Sequence, residues 1–249
     1  MTLHASLARS VRKVFGSLSH VITGEPVIAL TFDDGPDAES TPRVLDLLEK
    51  YGAQATFFLV GQAAAARPHL VQRIAAAGHA IGLHSWDHRS FVTLSRRERR
   101  QQMGDCARAL APYHSRLFRP PYGEQTVWTR LEAFIGGYEV VGWNVNSGDW
   151  YESNAAVLSD HLLRTIKPGD IVLLHDTLFD NGQAAHGTDA AHRSWTDRET
   201  MLQALDRLLE RFTAPYRFVT VPTLLACGEP RRTFWFQNVL GARKAGRDG

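Results

Sequence analysis

The chain of 249 residues reads as a single α/β domain built on about seven parallel strands. Two periodicities alternate along it, turn and cap residues punctuate both, and no linker, repeat or low-complexity stretch divides it. Strand-like runs, β-branched or aromatic, occur at Val27–Phe32, Ala55–Val60, His79–Leu83, Leu117–Arg119, Tyr138–Trp143, Asp170–Leu174 and Tyr216–Val221. Helical spacing fills the intervals. Val44, Leu47, Leu48 and Tyr51 follow an i, i+3, i+4, i+7 pattern, and Leu202, Leu205, Leu208, Leu209 and Phe212 a close variant. Thr41-Pro42 reads as an N-cap followed by proline at the first helical position, and Gly52 and Gly78 as C-terminal glycines. Ser95 with Glu98, and Thr196 with Glu199, have the capping-box spacing. Pro168-Gly169 is a turn that feeds a strand. Strands separated by helices join in parallel, because a crossover returns the chain to the same end of the sheet.

Composition narrows the function. Lys plus Arg (28) nearly balance Asp plus Glu (26), so there is no basic surplus to suggest a nucleic-acid partner. Two cysteines, Cys106 and Cys227, allow at most one disulfide, which excludes a cysteine-rich scaffold and a thiolate zinc site; they read as small core residues. No apolar run approaches the roughly 20 residues of a spanning helix, and the start lacks a signal-peptide pattern, so a cytoplasmic or peripheral location is expected. Residues 25–226 form the expected domain, with an N-terminal extension, 1–24, and a C-terminal tail, 227–249. In the extension, Leu3, Leu7, Val14 and Leu18 are spaced to share one helix face among Arg9, Arg12 and Lys13. Such a helix suits docking on the domain, and its basic residues also suit a membrane surface. The tail carries Phe234-Trp235-Phe236 followed by Arg243, Lys244 and Arg247, an interface or a segment that packs back.

The unusual polar residues share one placement. Asp33 and Asp34 follow the first strand, His84 and His88 the third, and Arg119 ends the fourth. Asp149 follows the fifth and His175 ends the sixth. In parallel α/β folds the C-terminal strand ends meet on one rim, where active sites form. Taken singly, each piece has a bland explanation: an acidic turn, an incidental histidine pair, a proline-rich loop, a core histidine. Together, in order and on one rim, they do not. His84 and His88 are four residues apart, so one helical turn would aim both imidazoles the same way, as a metal requires. Asp33 and Asp34 are adjacent, whereas a phosphatase using an aspartyl nucleophile needs two aspartates separated by one residue.

Thr31-Phe32-Asp33-Asp34-Gly35-Pro36, His84-Ser85-Trp86-Asp87-His88, Arg119-Pro120-Pro121-Tyr122-Gly123, Asp149-Trp150 and Leu173-Leu174-His175-Asp176 resemble the five ordered motifs of the polysaccharide deacetylase family. This is the NodB-homology domain of carbohydrate esterase family 4, and the resemblance covers roughly Val27 to Val221. It implies a distorted (β/α) barrel and metal-dependent removal of acetyl groups from N-acetylated, sometimes O-acetylated, oligo- or polysaccharides. No family catalytic position is substituted, which counts against a non-catalytic sugar-binding relative. A divalent cation, zinc by resemblance with cobalt, manganese or nickel as substitutes, would sit on Asp34, His84 and His88, polarising the amide oxygen and lowering the pKa of bound water. Asp33 would be the base, oriented by Arg119, and His175 the acid, supported by Asp149. The Tyr122 backbone N–H would stabilise the oxyanion, and Trp150 and Leu173 would receive the acetyl methyl.

The stretch Thr177–Trp195 is long for a loop within a domain and follows His175 directly. It carries Phe179, His186, His192 and Trp195, and reads as a lid, a sugar-stacking wall or a polar insertion.

Overall fold

The computed structural model describes residues 11, 14–180, 198–212 and 214–234. At its centre β2 (Val27–Asp33) is buried along its whole length, which is why its sequence is a continuous apolar run rather than an alternation. β3 (Ala55–Leu59) and β8 (Ile171–His175) pair with it in parallel on either side. Beyond β3 lie β4 (Ala80–Leu83), β5 (Leu117–Phe118) and β6 (Glu139–Val140); beyond β8 lies β7 (Val145–Asn146). β9 (Arg217–Phe218) pairs with the start of β2, again in parallel. The sheet curls into a half-barrel, flanked by helices, in a single domain.

The two faces of β2 show how the curl is filled. Ile28, Leu30 and Phe32 point outward into the large core beneath α1 (Ser40–Lys50), α3 (Pro68–Ala76), α4 (Arg96–Leu110), α6 (Ala155–Thr165) and α7 (Glu199–Arg211). Val27 and Ala29 point inward and meet Phe58, Leu117 and Ile171 in a second cluster inside the curl. On that inner face the next residues along β2 are Thr31 and Asp33, and along β8 they are Leu173 and His175. The interior therefore runs from an apolar floor to a polar rim at the strand C-termini.

Three expectations change. The run Tyr138–Trp143 is not one strand. Only Glu139–Val140 of it is strand (β6); the rest crosses the open side of the curl toward β7, which starts at Val145 at the opposite edge. Asn144 anchors the crossing, its amide donating to Asp170 Oδ1 at 2.6 Å while its oxygen accepts from Ile171 N at 2.9 Å. Second, Val11, Val14 and Phe15 are helical, but residues 17–22 are strand β1 (Ser17–Ile22), so the helix expected over the extension 1–24 ends before Leu18. β1 pairs antiparallel with β10 (Glu229–Thr233), part of the expected tail, and Leu18 bridges Val141 across the open side. Those partners are distant in sequence, so local spacing could not reveal them. Leu3 and Leu7, and the tail from Trp235 onward, lie outside the described residues.

Third, two helix starts move. α1 begins at Ser40 with Glu39 as its N-cap, and the Thr41 hydroxyl instead accepts from Asp37 N at 2.7 Å. α7 is capped by Arg198, not Thr196, which lies outside the described residues. The Ser95–Glu98 capping box is present on α4, and Gly52 and Gly78 have φ of 62° and 80° as helix-ending glycines. Cys106 is buried and Cys227 half-buried, and they are not bonded to each other. Burial pushes the Cys106 thiol up to about 12. Among the described residues no helix is long and apolar enough to cross a membrane.

Candidate active site

Asp34 sits just past β2 with φ of 81°, its N–H donating to Phe58 O at 3.2 Å. The next residue must be glycine. Gly35 N donates to Asp176 Oδ1 at 3.1 Å, and a Cβ there would lie 2.1 Å from Asp176 Oδ2. His84 follows β4, and its Nδ1 lies 2.8 Å from Arg119 O. A carbonyl only accepts, so Nδ1 carries the proton and the Nε2 lone pair is left for a ligand.

His88 reaches the same point by a route other than the expected helical turn. Ser85 and His88 both have left-handed backbone (φ 71° and 60°) in a loop, not a helix. Ser85 Oγ accepts from His88 N at 3.0 Å, and Gln102 Oε1 on α4 accepts from Trp86 N and Asp87 N at 2.8 and 3.1 Å. These bonds replace the helical ladder and still aim both imidazoles together.

Asp34 Oδ1 lies 3.3 Å from His84 Nε2 and 3.0 Å from His88 Nε2, and one ligand atom from each residue falls within 4.8 Å of the others. Asp34 Oδ1 is buried, yet neither contact has hydrogen-bond geometry. Three buried ligand atoms that converge within 4.8 Å of one another fit a cation between them. Burial would raise the Asp34 carboxyl, but His88, His84 and His175 hold it well below the usual carboxylate range. The donor set and the family support a divalent metal.

Beside this triad is Asp33, whose Oδ1 accepts from Arg119 Nη1 at 2.6 Å. Arg119 is 0% exposed. It also donates to Thr31 Oγ1 (2.8 Å), Val141 O (3.2 Å) and Gly142 O (2.8 Å), and lies 4.2 Å over the Phe58 ring. Four hydrogen bonds hold the guanidinium, and it ties the Asp33 carboxylate to the chain crossing the open side.

On the strand next to Asp33, in register with it, is His175. Its Nδ1 lies 2.9 Å from Asp149 Oδ1 and its N–H donates to Asp149 Oδ2 at 2.8 Å, which leaves Nε2 as the ring nitrogen available for chemistry. Ser147 Oγ donates to Asp149 Oδ1 at 3.0 Å. Burial opposes the imidazolium, yet Asp149, with Asp34 and Asp33, pushes His175 up to about 9. Burial likewise opposes the Asp149 charge, while His175 and Arg198 hold the carboxyl below its ordinary value.

Around these groups Tyr122, φ 61°, packs its ring edge-on to His88 with centroids 4.7 Å apart, and is 60% exposed. Trp150 packs edge-on to His175 at 5.4 Å, and Leu173 is buried one step below His175 on the same face. Phe179, at the start of the long loop, donates its N–H to Asp34 Oδ2 at 3.1 Å; His186, His192 and Trp195 lie outside the described residues. All the expected site residues thus meet at one rim.

Sequence reasoning missed three neighbours. Arg198 pairs with Asp149, Thr31 bonds Arg119, and Asp176 braces Gly35. Thr31 and Asp176 carried a local signal, as members of the motifs around Asp33 and His175, and Arg198 carried none.

A candidate metal-ligand triad beside a carboxylate–arginine pair and a carboxylate–histidine pair, on the rim of a curled parallel sheet, holds the groups that metal-assisted hydrolysis would use. The comparisons specify which kind. Residues 20–141 match the family described as polysaccharide deacetylase. A peptidoglycan-N-acetylglucosamine deacetylase of Bacillus cereus is 33% identical over 213 residues, 82% of this chain and 70% of that protein. A chitooligosaccharide deacetylase of Sinorhizobium fredii is 36% identical over 191 residues, 75% of this chain and 86% of that protein. The crystal structure of the Bc1960 peptidoglycan N-acetylglucosamine deacetylase superposes with a TM-score of 0.75 at 29% identity, covering 91% of this chain and 99% of that one. The chain belongs to the polysaccharide deacetylase family, carbohydrate esterase family 4.

Proposed function

We propose that this protein is a divalent-cation-dependent deacetylase of N-acetylglucosamine-containing glycans, peptidoglycan or chitooligosaccharide. The observation that carries the reading is the convergence of Asp34, His84 and His88 beside the neighbouring strand ends that carry Asp33 and His175. Names of the relatives supply the substrate class. Asp34, His84 and His88 would hold the cation, zinc with cobalt, manganese or nickel as substitutes, which as a Lewis acid polarises the acetamide carbonyl and makes water more acidic.

The residues do the rest. Asp33, fixed by Arg119, takes a proton from the attacking water as its oxygen adds to the carbonyl carbon. The Tyr122 N–H donates to the developing oxyanion, a role suited to a backbone group held in a left-handed turn. His175, protonated on the side away from Asp149, gives its Nε2 proton to the departing nitrogen as the C–N bond breaks, leaving acetate and a free amine. Trp150 and Leu173 wall the space for the acetyl methyl and exclude water from it. A non-catalytic sugar-binding role would leave the paired charges at Asp33 and Asp149 without a task.

The test is acetate release from chitooligosaccharides and peptidoglycan by protein stripped with a chelator, then restored with zinc or cobalt. Release that disappears on stripping and returns on restoration is expected. Zinc binding without release from any substrate would leave the site and overturn the substrate class; no zinc binding would overturn the reading.

A further inference from the structure

We propose that Arg198 is the positioning residue of the acid side, locking the Asp149 carboxylate and the His175 backbone together. Arg198 is the N-cap residue of α7, is 3% exposed, and adopts left-handed backbone (φ 55°), a conformation disfavoured for a non-glycine residue. Its guanidinium pairs with Asp149 Oδ2 through Nη2 and donates to Asp149 O from Nη1 at 3.0 Å. Nε and Nη2 both donate to His175 O, at 3.2 and 3.0 Å. Four contacts thus fall on two residues, both in the acid pair. A planar fork can span a carboxylate and two carbonyls at once, and a lysine ammonium cannot.

The same pairing divides the charge of Asp149. Oδ1 serves the His175 ring and Ser147, while Oδ2 serves Arg198 and the His175 N–H. The charged groups that face His175 are Asp149, Asp34 and Asp33, and Arg198 is the cation that faces Asp149. An acid must release its proton as well as hold it. By sharing Asp149, Arg198 stops the carboxylate from trapping the imidazolium.

The inference rests on the proposed role of His175 and is tested with Arg198→Gln and Arg198→Lys in the zinc-loaded full-length protein. For Arg198→Gln, kcat on N-acetylated chitooligosaccharide should fall about tenfold to a hundredfold, the scale of losing an orienting partner, with KM little changed. The alkaline limb of kcat and the His175 ring titration followed by NMR should both move up by about one pH unit. Arg198→Lys should keep the titration midpoint near wild type while kcat stays reduced. A folded Arg198→Gln protein with an unmoved His175 midpoint would overturn the proposal. If that variant does not fold, Arg198→Lys decides: wild-type kcat and midpoint together would overturn it. The NMR titration needs no substrate, so absence of turnover in wild type would count against the proposed function and leave this test standing.

Discussion

Two carboxylate–arginine pairs lie beside the candidate metal-ligand triad, and in the proposed mechanism they would expose different members to a substrate. On one side Arg119 grips Asp33 through a single oxygen, and Oδ2 remains 3.8 Å from His84 Nε2 and able to take a proton. On the other, Asp149 is enclosed by Arg198, Ser147 and His175, and the imidazole is what faces outward. One ion pair presents an acceptor; the other presents a donor supported by an enclosed acceptor. In the proposed mechanism similar residues would therefore give opposite proton chemistry, decided by how many donors each carboxylate already serves.

The largest expected effect treats both sides alike. Asp33→Asn and His175→Ala should each lower kcat by about 10²- to 10⁴-fold, the range for losing a general base or acid, measured as acetate release at saturating zinc. A variant retaining near wild-type turnover would remove its side from the mechanism.

Stability separates the sides. The imidazolium of His175 is favoured in the folded protein, up to about 9 against 6.5 for the free group. Its contribution is complete below about pH 6.5 and is lost as pH rises through 9. Denaturation of His175→Ala by urea should therefore show a deficit against wild type that fades toward pH 10. Burial lowers the Arg119 guanidinium from its ordinary value against the Asp33 charge, but an arginine is not deprotonated over that range. Removing one partner of a buried pair costs about 3 kcal/mol or more, so the deficit of Asp33→Asn should persist. Equal pH dependence in the two variants would break the comparison.

A smaller effect belongs to Asp176, which touches the turn after Asp34 and follows His175. Burial, with the nearby Asp34 charge, raises its carboxyl to about 7, against the hydrogen bonds from Thr41 and Gly35. A carboxyl raised on folding binds more protons in the native state, so stability falls as pH rises from about 4 to 7. In metal-free protein, Asp176→Asn should flatten that slope in a series of Tm measurements. The smallest effect is Ser147→Ala. It removes one of four donors to Asp149, should cost about 1 kcal/mol in stability, and should lower kcat by no more than the Arg198 variants do.

How much of this was legible in the sequence followed from separation along the chain. The site residues stood out because they lie at the ends of apolar runs or in the loops just after them, and the strands carried them to one rim. Arg198 did not, because it is 49 residues from Asp149 and 23 from His175 and looks like any surface arginine before a helix. β1 and β10 were read as helix and tail because only their pairing with each other, about two hundred residues apart, makes them strands. The convergence of His84 and His88 was visible from a spacing of four, yet the backbone achieves it with two left-handed residues and a glutamine brace instead of a helical turn.

The ribbon formed by β1 and β10 has a further consequence. Ser17 and Thr233 are register partners, so the chain enters and leaves the half-barrel side by side. A body whose two ends share one doorway can be grafted into a surface loop of another protein, or permuted by joining those ends, without stretching any catalytic strand.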